Sequence, residues 1–329
     1  MMWGMVILPT LGPLHLMYPR YNAASVLRQI EHRQASTVFF ASYSPEGLEQ
    51  GLWRDRNDLA LFELRPLVDQ GHVRLVGLGE NAEALQHEAE LFAEYLGQLP
   101  AGEEAKRNLA EAEREVWVYL STPRLPHELA SADFVEGLRE RLGRVVELAG
   151  EGPATGFRAE RMAQVAHKLR EHGDTPVVLV DVLDYPELLR HFPEAEGPLD
   201  LEPSEAERAR ALMDRAWRLD EADEWGSLLA QLMELARPEA RFLAAQIYLA
   251  AGRTDDALAL LEDVAKDDFS QPEYLPGYLL ARLGQLYDLA GNRERAIRSY
   301  RGVLALSWAP AEAREIAQAG MRTPFRVEG

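Results

Sequence analysis

Residues 279–306 read LLARLGQLYDLAGNRERAIRSYRGVLAL, the most regular pattern in the sequence. Apolar and small residues recur at helical spacing on both sides of Gly291 and Asn292, a pair that is typical of a turn. The pattern therefore predicts two helices joined by a tight turn. Gly284 in the first helix and Ala296 in the second are small enough to let the two helices pack closely.

A second copy of this pattern precedes the first, in residues 240–268. Its Ala257 lies 39 residues before Ala296, and the excess over the usual period of about 34 falls in the Pro-containing segment 268–277. A weaker third copy is found in residues 213–230, where Gly226 would take the place of Ala257. The copies resemble the tetratricopeptide repeat (TPR), in which L-G-x-x-Y on one helix meets A-x-x-x-[FY] on the next.

The resemblance implies an all-α array of TPR-like helical hairpins over residues 204–322. The first helix of each hairpin would line a groove that binds a protein or peptide partner. Carried over to this sequence, the groove residues are Glu239, Phe242, Gln246, Leu249, Tyr278, Ala281, Gln285 and Asp288. We expect Phe242 and Tyr278 to be exposed there, which would suit a short peptide or helix with some positive charge. Two alternatives stay open: the N-terminal part of the same chain fills the groove, or a second copy fills it in a homo-oligomer.

The composition restricts the partners. With 54 acidic and 35 basic side chains, the 329 residues carry a formal net charge of -19. Nucleic-acid binding is not expected, because it draws its affinity from clustered Lys and Arg. No stretch approaches the roughly 18 uncharged apolar residues of a membrane span. The absence of cysteine rules out disulfides and cysteine-ligated zinc.

The sequence up to Pro19 contains no Asp, Glu, Lys or Arg, as in the apolar part of a secretory signal peptide. It lacks the positively charged start of such a peptide, and Pro9, Gly12 and Pro13 interrupt its apolar run. A buried first strand over residues 3–9 explains the pattern better. We therefore expect a cytoplasmic protein.

Short apolar runs alternate with helical patterns up to about residue 197. The runs lie at residues 3–9, 37–41, 73–78, 115–120 and 176–183. Strands separated by helices predict right-handed crossovers and a mostly parallel, doubly wound sheet, so residues 1–197 are predicted to form an α/β domain. Ser204 and Glu207 then match a capping box that starts the next helix.

Ligands of an open parallel sheet bind at the carboxyl ends of its strands. His15, after the first strand, could ligate a metal ion or act as a general base, or it could be a hydrogen-bonded histidine that fastens its loop. Asp184, after the last strand, could be a ligand or could cap the following helix. Further polar residues at predicted strand ends are Ser42, Tyr43, Ser44, Glu46, Glu80, Arg124, His127 and Asp181.

The short motifs of this domain resemble those of the superfamily that contains TraB, ChaN, the Tiki proteins and erythromycin esterase-like hydrolases. They are Gly12-Pro13-Leu14-His15 after the first strand, ASYSPE at 41–46 after the second, Arg158 before Met162-Ala163, and DVLD at 181–184 after the last. The resemblance implies metal-dependent hydrolase or peptidase chemistry. The candidate catalytic residues would be His15, Glu46, Asp184 and Arg158, and the first three would hold a divalent metal ion.

Several positions depart from the pattern of that superfamily. Its acidic residues are replaced by Ser42 and Ser44, and its second histidine is replaced by Asp184. The domain is therefore expected to be a catalytically depleted pseudo-enzyme without a resident cofactor. The leading hypothesis is a cytoplasmic interaction protein that recruits a partner through its repeats. The alternatives are a metal-dependent hydrolase with a cleft around His15 and a purely structural homodimer.

Overall fold

The computed structural model of the chain describes residues 4–80, 87–88, 90–92, 94–95, 103–150, 156–172, 176–220 and 223–326. Contacts between Cα atoms divide the chain into two units, Met1–Glu207 and Arg208–Gly329. We call the first the N-terminal unit and the second the repeat unit. None of the described helices is long and apolar enough to span a membrane.

A small parallel sheet forms the centre of the N-terminal unit. Its strands are β1 (Val6–Thr10), β2 (Thr37–Phe40), β3 (Arg74–Gly77) and β4 (Val177–Asp181). Their order across the sheet is β1-β4-β2-β3, and every described pair is parallel. All five residues of β1 are buried, which confirms the buried strand expected near the start of the chain.

The strand predicted at residues 115–120 is wrong, because these residues are the last turns of helix α5 (Glu103–Leu120). The buried residues of this helix, Leu109, Ala112, Val116 and Leu120, follow helical spacing. The β-branched and aromatic residues suggested a strand, but the apolar stripe that begins one turn earlier overrides that local preference.

Eight further helices of the N-terminal unit have described bounds. They are α1 (Ala23–His32), α2 (Pro45–Gln50), α3 (Leu52–Asp55), α4 (Leu59–Asp69), α6 (Pro126–Leu129), α7 (Ala132–Ala149), α8 (Phe157–Glu171) and α9 (Tyr185–His191). The helices at 45–50, 52–55 and 126–129 have no counterpart in the predicted pattern. A 3-10 helix, Gly12–Met17, follows β1. The sequence pattern at residues 81–113 predicts helix with one break at 99–102, and much of the part before residue 103 lies outside the described residues.

Helices alone make up the secondary structure described from residue 205 onward. They are α10 (Glu205–Arg218), α11 (Trp225–Glu234), α12 (Pro238–Ala250), α13 (Thr254–Val264), α14 (Leu275–Leu289), α15 (Arg293–Ala305) and α16 (Ala311–Arg322). The predicted capping box at the start of α10 is confirmed: the Ser204 and Glu207 side chains accept from each other's backbone N–H groups, at 3.2 and 2.7 Å.

Close packing of α14, α15 and α16 depends on glycine. A Cβ atom on Gly284 would lie 2.3 Å from the Tyr300 ring, and one on Gly320 would meet the same ring at the same distance. Ala296 is fully buried beside them. Gly226 of the weak third copy has no such role, since nothing lies within 4 Å of a Cβ placed there.

Candidate functional sites

A polar pocket of about 260 Å³ lies at the carboxyl ends of β2, β3 and β4. We call it the sheet-edge pocket. It is lined by Ala41, Ser42, Arg56, Gly79, Glu80, Arg158, Arg161, Val165, Asp181, Leu183 and Asp184. Its position is the one expected for a ligand site in a parallel sheet.

Two tight contacts shape this pocket. The Ser42 hydroxyl accepts a hydrogen bond of 3.0 Å from the backbone N–H of Asp181, which joins the loop after β2 to the end of β4. Gly79 lies against the same loop, where a Cβ atom would come within 2.5 Å of the Ala41 carbonyl oxygen. A larger residue at Gly79 would therefore push apart the loops that follow β2 and β3.

The structure brings two of the predicted candidates, Arg158 and Asp184, into an ion pair. Arg158 Nε donates to Asp184 Oδ1 at 3.0 Å, and Arg161 Nη2 donates to the same oxygen at 3.3 Å. The other terminal nitrogen of Arg161 binds Glu88 at 2.7 Å. One carboxylate thus orients two guanidinium groups toward the pocket.

Two carboxyl groups near this edge hold protons unusually well. Burial raises the pKa of Asp58 to about 7, and the negative charge of Asp181 adds to the effect. Burial likewise raises the pKa of Asp181 to about 6, and the negative charge of Asp184 contributes to the same increase. The Tyr43 hydroxyl donates to Asp58 Oδ2 at 3.3 Å, while Asp58 Oδ1 is buried without a partner in the described chain. Both carboxyl groups can therefore exchange a proton near neutral pH.

Sequence reasoning missed Asp58 as a functional candidate. It immediately precedes α4, where an Asp is an ordinary helix-capping residue, so nothing in the local pattern distinguishes it. Asp181 was recognised only as one of several polar residues at strand ends. The effect of the Asp181 charge on Asp58 arises from the fold, which no short motif encodes.

His15 is fully buried and has hydrogen bonds at both ring nitrogens. Nε2 accepts from the backbone N–H of Leu11 at 3.0 Å, which leaves Nδ1 to donate to the Tyr21 carbonyl at 2.9 Å. Burial lowers the pKa of His15 to about 4, so the ring is neutral at pH 7. This geometry is that of a histidine that fastens its loop, and in it neither nitrogen offers a lone pair to a metal ion.

Glu46 is exposed in the first turn of α2, whose N-cap is Ser44. Within the described ranges, no three His, Cys, Asp or Glu side chains are grouped closely enough to hold a metal ion. His15 as it stands does not fit the role of a ligand. The metal site predicted at His15, Glu46 and Asp184 stays a prediction.

In the repeat unit, several predicted groove residues are buried by the unit itself. Glu239, Phe242, Ala281 and Gln285 are 5%, 2%, 1% and 7% exposed, so the expected exposure of Phe242 is wrong. The reason is Trp217 of α10, whose ring centroid lies 5.6 Å from that of Phe242 and 5.4 Å from that of Tyr278. The indole of Trp217, two helices earlier in the chain than Phe242, covers this part of the expected groove.

Asp288 also has a structural role. Its side chain is fully buried and accepts from Arg293 at 2.9 Å and from the Tyr300 hydroxyl at 3.0 Å. It also accepts from the backbone N–H of Phe325 at 2.8 Å, which fastens the segment after α16. All the described contacts of Asp288 are therefore internal, although the repeat pattern predicts a groove position.

Three of the predicted groove residues remain partly accessible: Gln246, Leu249 and Tyr278. The Gln246 amide nitrogen is buried and donates no hydrogen bond to the described residues. Next to Tyr278 on α14, Arg282 donates to Gln285 at 2.7 Å. The accessible face of α12 and α14 is thus smaller and more apolar than the sequence predicted.

Residues 279–313 match the tetratricopeptide repeat family. This part of the chain is a TPR-like repeat. The match begins within α14 and ends in α16, so it contains the packed residues Gly284, Ala296 and Tyr300. No curated protein and no solved structure is significantly similar to the chain. The resemblance of the N-terminal unit to the TraB superfamily therefore rests on its short motifs alone.

Proposed function

We propose that this chain is a cytoplasmic interaction protein whose TPR-like unit binds a protein partner, and that its N-terminal unit is a catalytically depleted scaffold. The TPR match carries the first part of the proposal, because stacked helical hairpins commonly serve as binding surfaces. The second part is supported by the internal bonds of His15. A doubly wound arrangement of helices around the sheet belongs to the same proposal, and an experimental structure of the chain tests it.

The partner is a short protein segment that docks on the face of Gln246, Leu249 and Tyr278. Gln246, Leu249 and Tyr278 are the predicted groove residues that stay partly accessible, and this accessibility places the segment on their face. Leu249 and the Tyr278 ring provide a small apolar surface for one side chain. The Trp217 ring packs against the Tyr278 ring, with 5.4 Å between the ring centroids.

Site-specific photo-cross-linking of the full chain in host cells tests this surface. A photoreactive residue at Leu249 should capture a discrete partner, and one at Arg301, on the exposed side of α15, should not. The double variant Gln246→Ala, Leu249→Glu should lose the partner while its Tm stays near that of the wild type. Capture of the same partner from both positions would contradict the assignment of the face, and capture of a second copy would indicate the homo-oligomer.

A second candidate function is hydrolysis at the sheet-edge pocket, and the raised pKa of Asp181, which lines the pocket, favours it. A carboxyl group with a pKa near 6 can exchange a proton with a reacting group near neutral pH, and Arg158 and Arg161 can stabilise negative charge beside it. This candidate needs no contribution from His15. A metal-dependent version around His15 remains the alternative prediction.

Assays of the full chain on esters and peptides separate these possibilities. Asp181→Asn should abolish any activity that belongs to the pocket, and Glu160→Gln, an exposed change on α8, should leave it intact. Elemental analysis of wild type and His15→Ala tests the metal version: stoichiometric metal that the substitution removes would support it. Activity that survives Asp181→Asn would exclude the pocket as its source.

A further inference from the structure

A cleft of about 630 Å³ lies in the N-terminal unit. Helices α5, α7, α8 and α9 form its walls. The apolar lining includes Trp117, Leu142, Val146, Phe157, Leu183 and Pro186. Trp117 and Val146 are 51% and 44% exposed, which is unusual for large apolar side chains. The volume is in the range of small-molecule sites.

This cleft adjoins the sheet-edge pocket, because Arg158, Arg161 and Leu183 line both cavities. The cleft therefore borders guanidinium groups at the end of the sheet. A ligand that occupied both would be amphiphilic, with its polar end near Arg158.

The hydrogen-bonding groups at this junction show which polar end fits. Arg158 uses only Nε in its bond to Asp184, so both of its terminal nitrogens are unused in the described chain. Arg56 is exposed, stacks 5.3 Å from the Tyr43 ring centroid, and donates no hydrogen bond to the described residues. The oxygens of Asp184 are already engaged by Arg158 and Arg161. Free donors thus face the pocket, and carboxylate or phosphate oxygens are their natural acceptors.

The charges around the pocket can accommodate such an anion. Arg56, Arg158 and Arg161 face Glu80, Asp181 and Asp184. Asp181 takes up a proton more readily than an ordinary aspartate, since burial raises its pKa to about 6. The three guanidinium groups match the three carboxylates in number, so the pocket carries no surplus of negative charge that would repel an anion.

We propose that the cleft and the sheet-edge pocket together bind an anionic amphiphile of the fatty-acid type, with its alkyl chain in the cleft and its head group on Arg158 and Arg56. Binding does not depend on the partner of the repeat unit or on hydrolysis at Asp181. The exposed apolar side chains of Trp117 and Val146 then contact the alkyl chain of the ligand.

Titration calorimetry of the full chain with straight-chain alkanoates of six to twelve carbons, below their micelle concentrations, tests the proposal. The Kd should fall by about fourfold for each methylene group added, until the cleft is full. Alkyl phosphates should bind comparably. The alcohols and alkyltrimethylammonium ions of equal length should bind at least tenfold more weakly. Equal binding of alkanoate and alcohol, or no saturable binding of either, would overturn the proposal.

Two pairs of variants locate the site. Gly143 of α7 lines the cleft, and a Cβ atom there would meet nothing within 4 Å. Gly143→Leu should fill the cleft without unfolding the helix and weaken the twelve-carbon ligand at least tenfold, while Gly143→Ala should bind it normally. Arg158→Gln should remove the preference for alkanoate over alcohol, and Arg301→Gln should retain it. Normal binding by Gly143→Leu would place the alkyl chain elsewhere and contradict the proposal.

Discussion

Arg210 and Glu239 form an ion pair with two parallel hydrogen bonds inside the repeat unit, of 2.9 Å from Nη1 to Oε2 and 3.0 Å from Nη2 to Oε1. Trp217 Nε1 and the Tyr274 hydroxyl also donate to Glu239, at 2.7 and 2.8 Å. Arg210 reaches Asp214 as well, through Nε at 2.7 Å. Burial alone would raise the pKa of Glu239, but Arg210 and these donors outweigh it and hold the pKa below its usual value.

Glu239→Gln should destabilise the repeat unit by about 3 kcal/mol, because it removes the charged acceptor of both terminal nitrogens of Arg210 and leaves the buried guanidinium group with Asp214 as its remaining carboxylate partner. Urea unfolding of the full chain, followed through the tryptophans, measures this loss. Glu294→Gln is the matched control, since its ion pair with Arg298 is exposed and should contribute less than about 1 kcal/mol. Equal effects of the two changes would show that the buried pair contributes no more than a surface pair.

Gly284→Ala should destabilise the hairpin of α14 and α15, because the added Cβ atom would lie 2.3 Å from the Tyr300 ring. Overpacking of this kind costs about 1–3 kcal/mol. Gly226→Ala, on α11, adds a methyl group where nothing lies within 4 Å and should stabilise the helix by up to about 1 kcal/mol. Thermal unfolding of both variants compares them, and a Tm for Gly284→Ala at or above that of the wild type would contradict the packing.

Asp58→Asn should change how stability depends on pH. The folded pKa of Asp58 is raised from 3.8 to about 7, so the folded state binds its proton more tightly than the unfolded state does. The stability that Asp58 contributes is therefore fully present below about pH 4 and lost as pH rises through 7, a change of about 4 kcal/mol. The variant should gain this amount over the wild type between pH 4 and 8, as measured by urea unfolding. Asp133→Asn, at an exposed carboxylate, should show no such gain.

His15→Gln should also change how stability depends on pH, but in the opposite direction to Asp58→Asn. Burial lowers the folded pKa of His15 from 6.5 to about 4, so the stability it contributes is present above pH 6.5 and lost as pH falls toward 4. The advantage of the wild type over the variant should shrink by about 3 kcal/mol between pH 7 and 4. A constant difference across this range would mean that the ring is not held neutral by its surroundings.

Local patterns predicted the repeated hairpin, the capping box of Ser204 and Glu207, and the buried first strand. Each of these depends on residues within about one or two turns, so that spacing and turn chemistry carry the information. The parallel character of the sheet was inferred from the alternation of strands and helices along the chain. The error at residues 115–120 arose where a short β-branched run lay inside a longer helical stripe.

Such local patterns did not predict the chemical environment of individual residues. Phe242 occupies a groove position in the repeat, yet Trp217 covers it. Asp58 looks like a helix cap, yet burial and the charge of Asp181 shift its pKa. Burial and pairing are properties of residues that are distant in the chain and meet only in the folded structure.

In this protein, local sequence patterns are sufficient to predict the TPR-like hairpin, the capping box and the buried first strand, because backbone propensity and apolar periodicity act over short distances. Tertiary structure alone decides which polar groups stay accessible. Arg158 and Asp184 meet across 26 positions, and Arg210 and Glu239 across 29. The free energy of a charge depends on its desolvation and on its nearest partner, and both are set by packing.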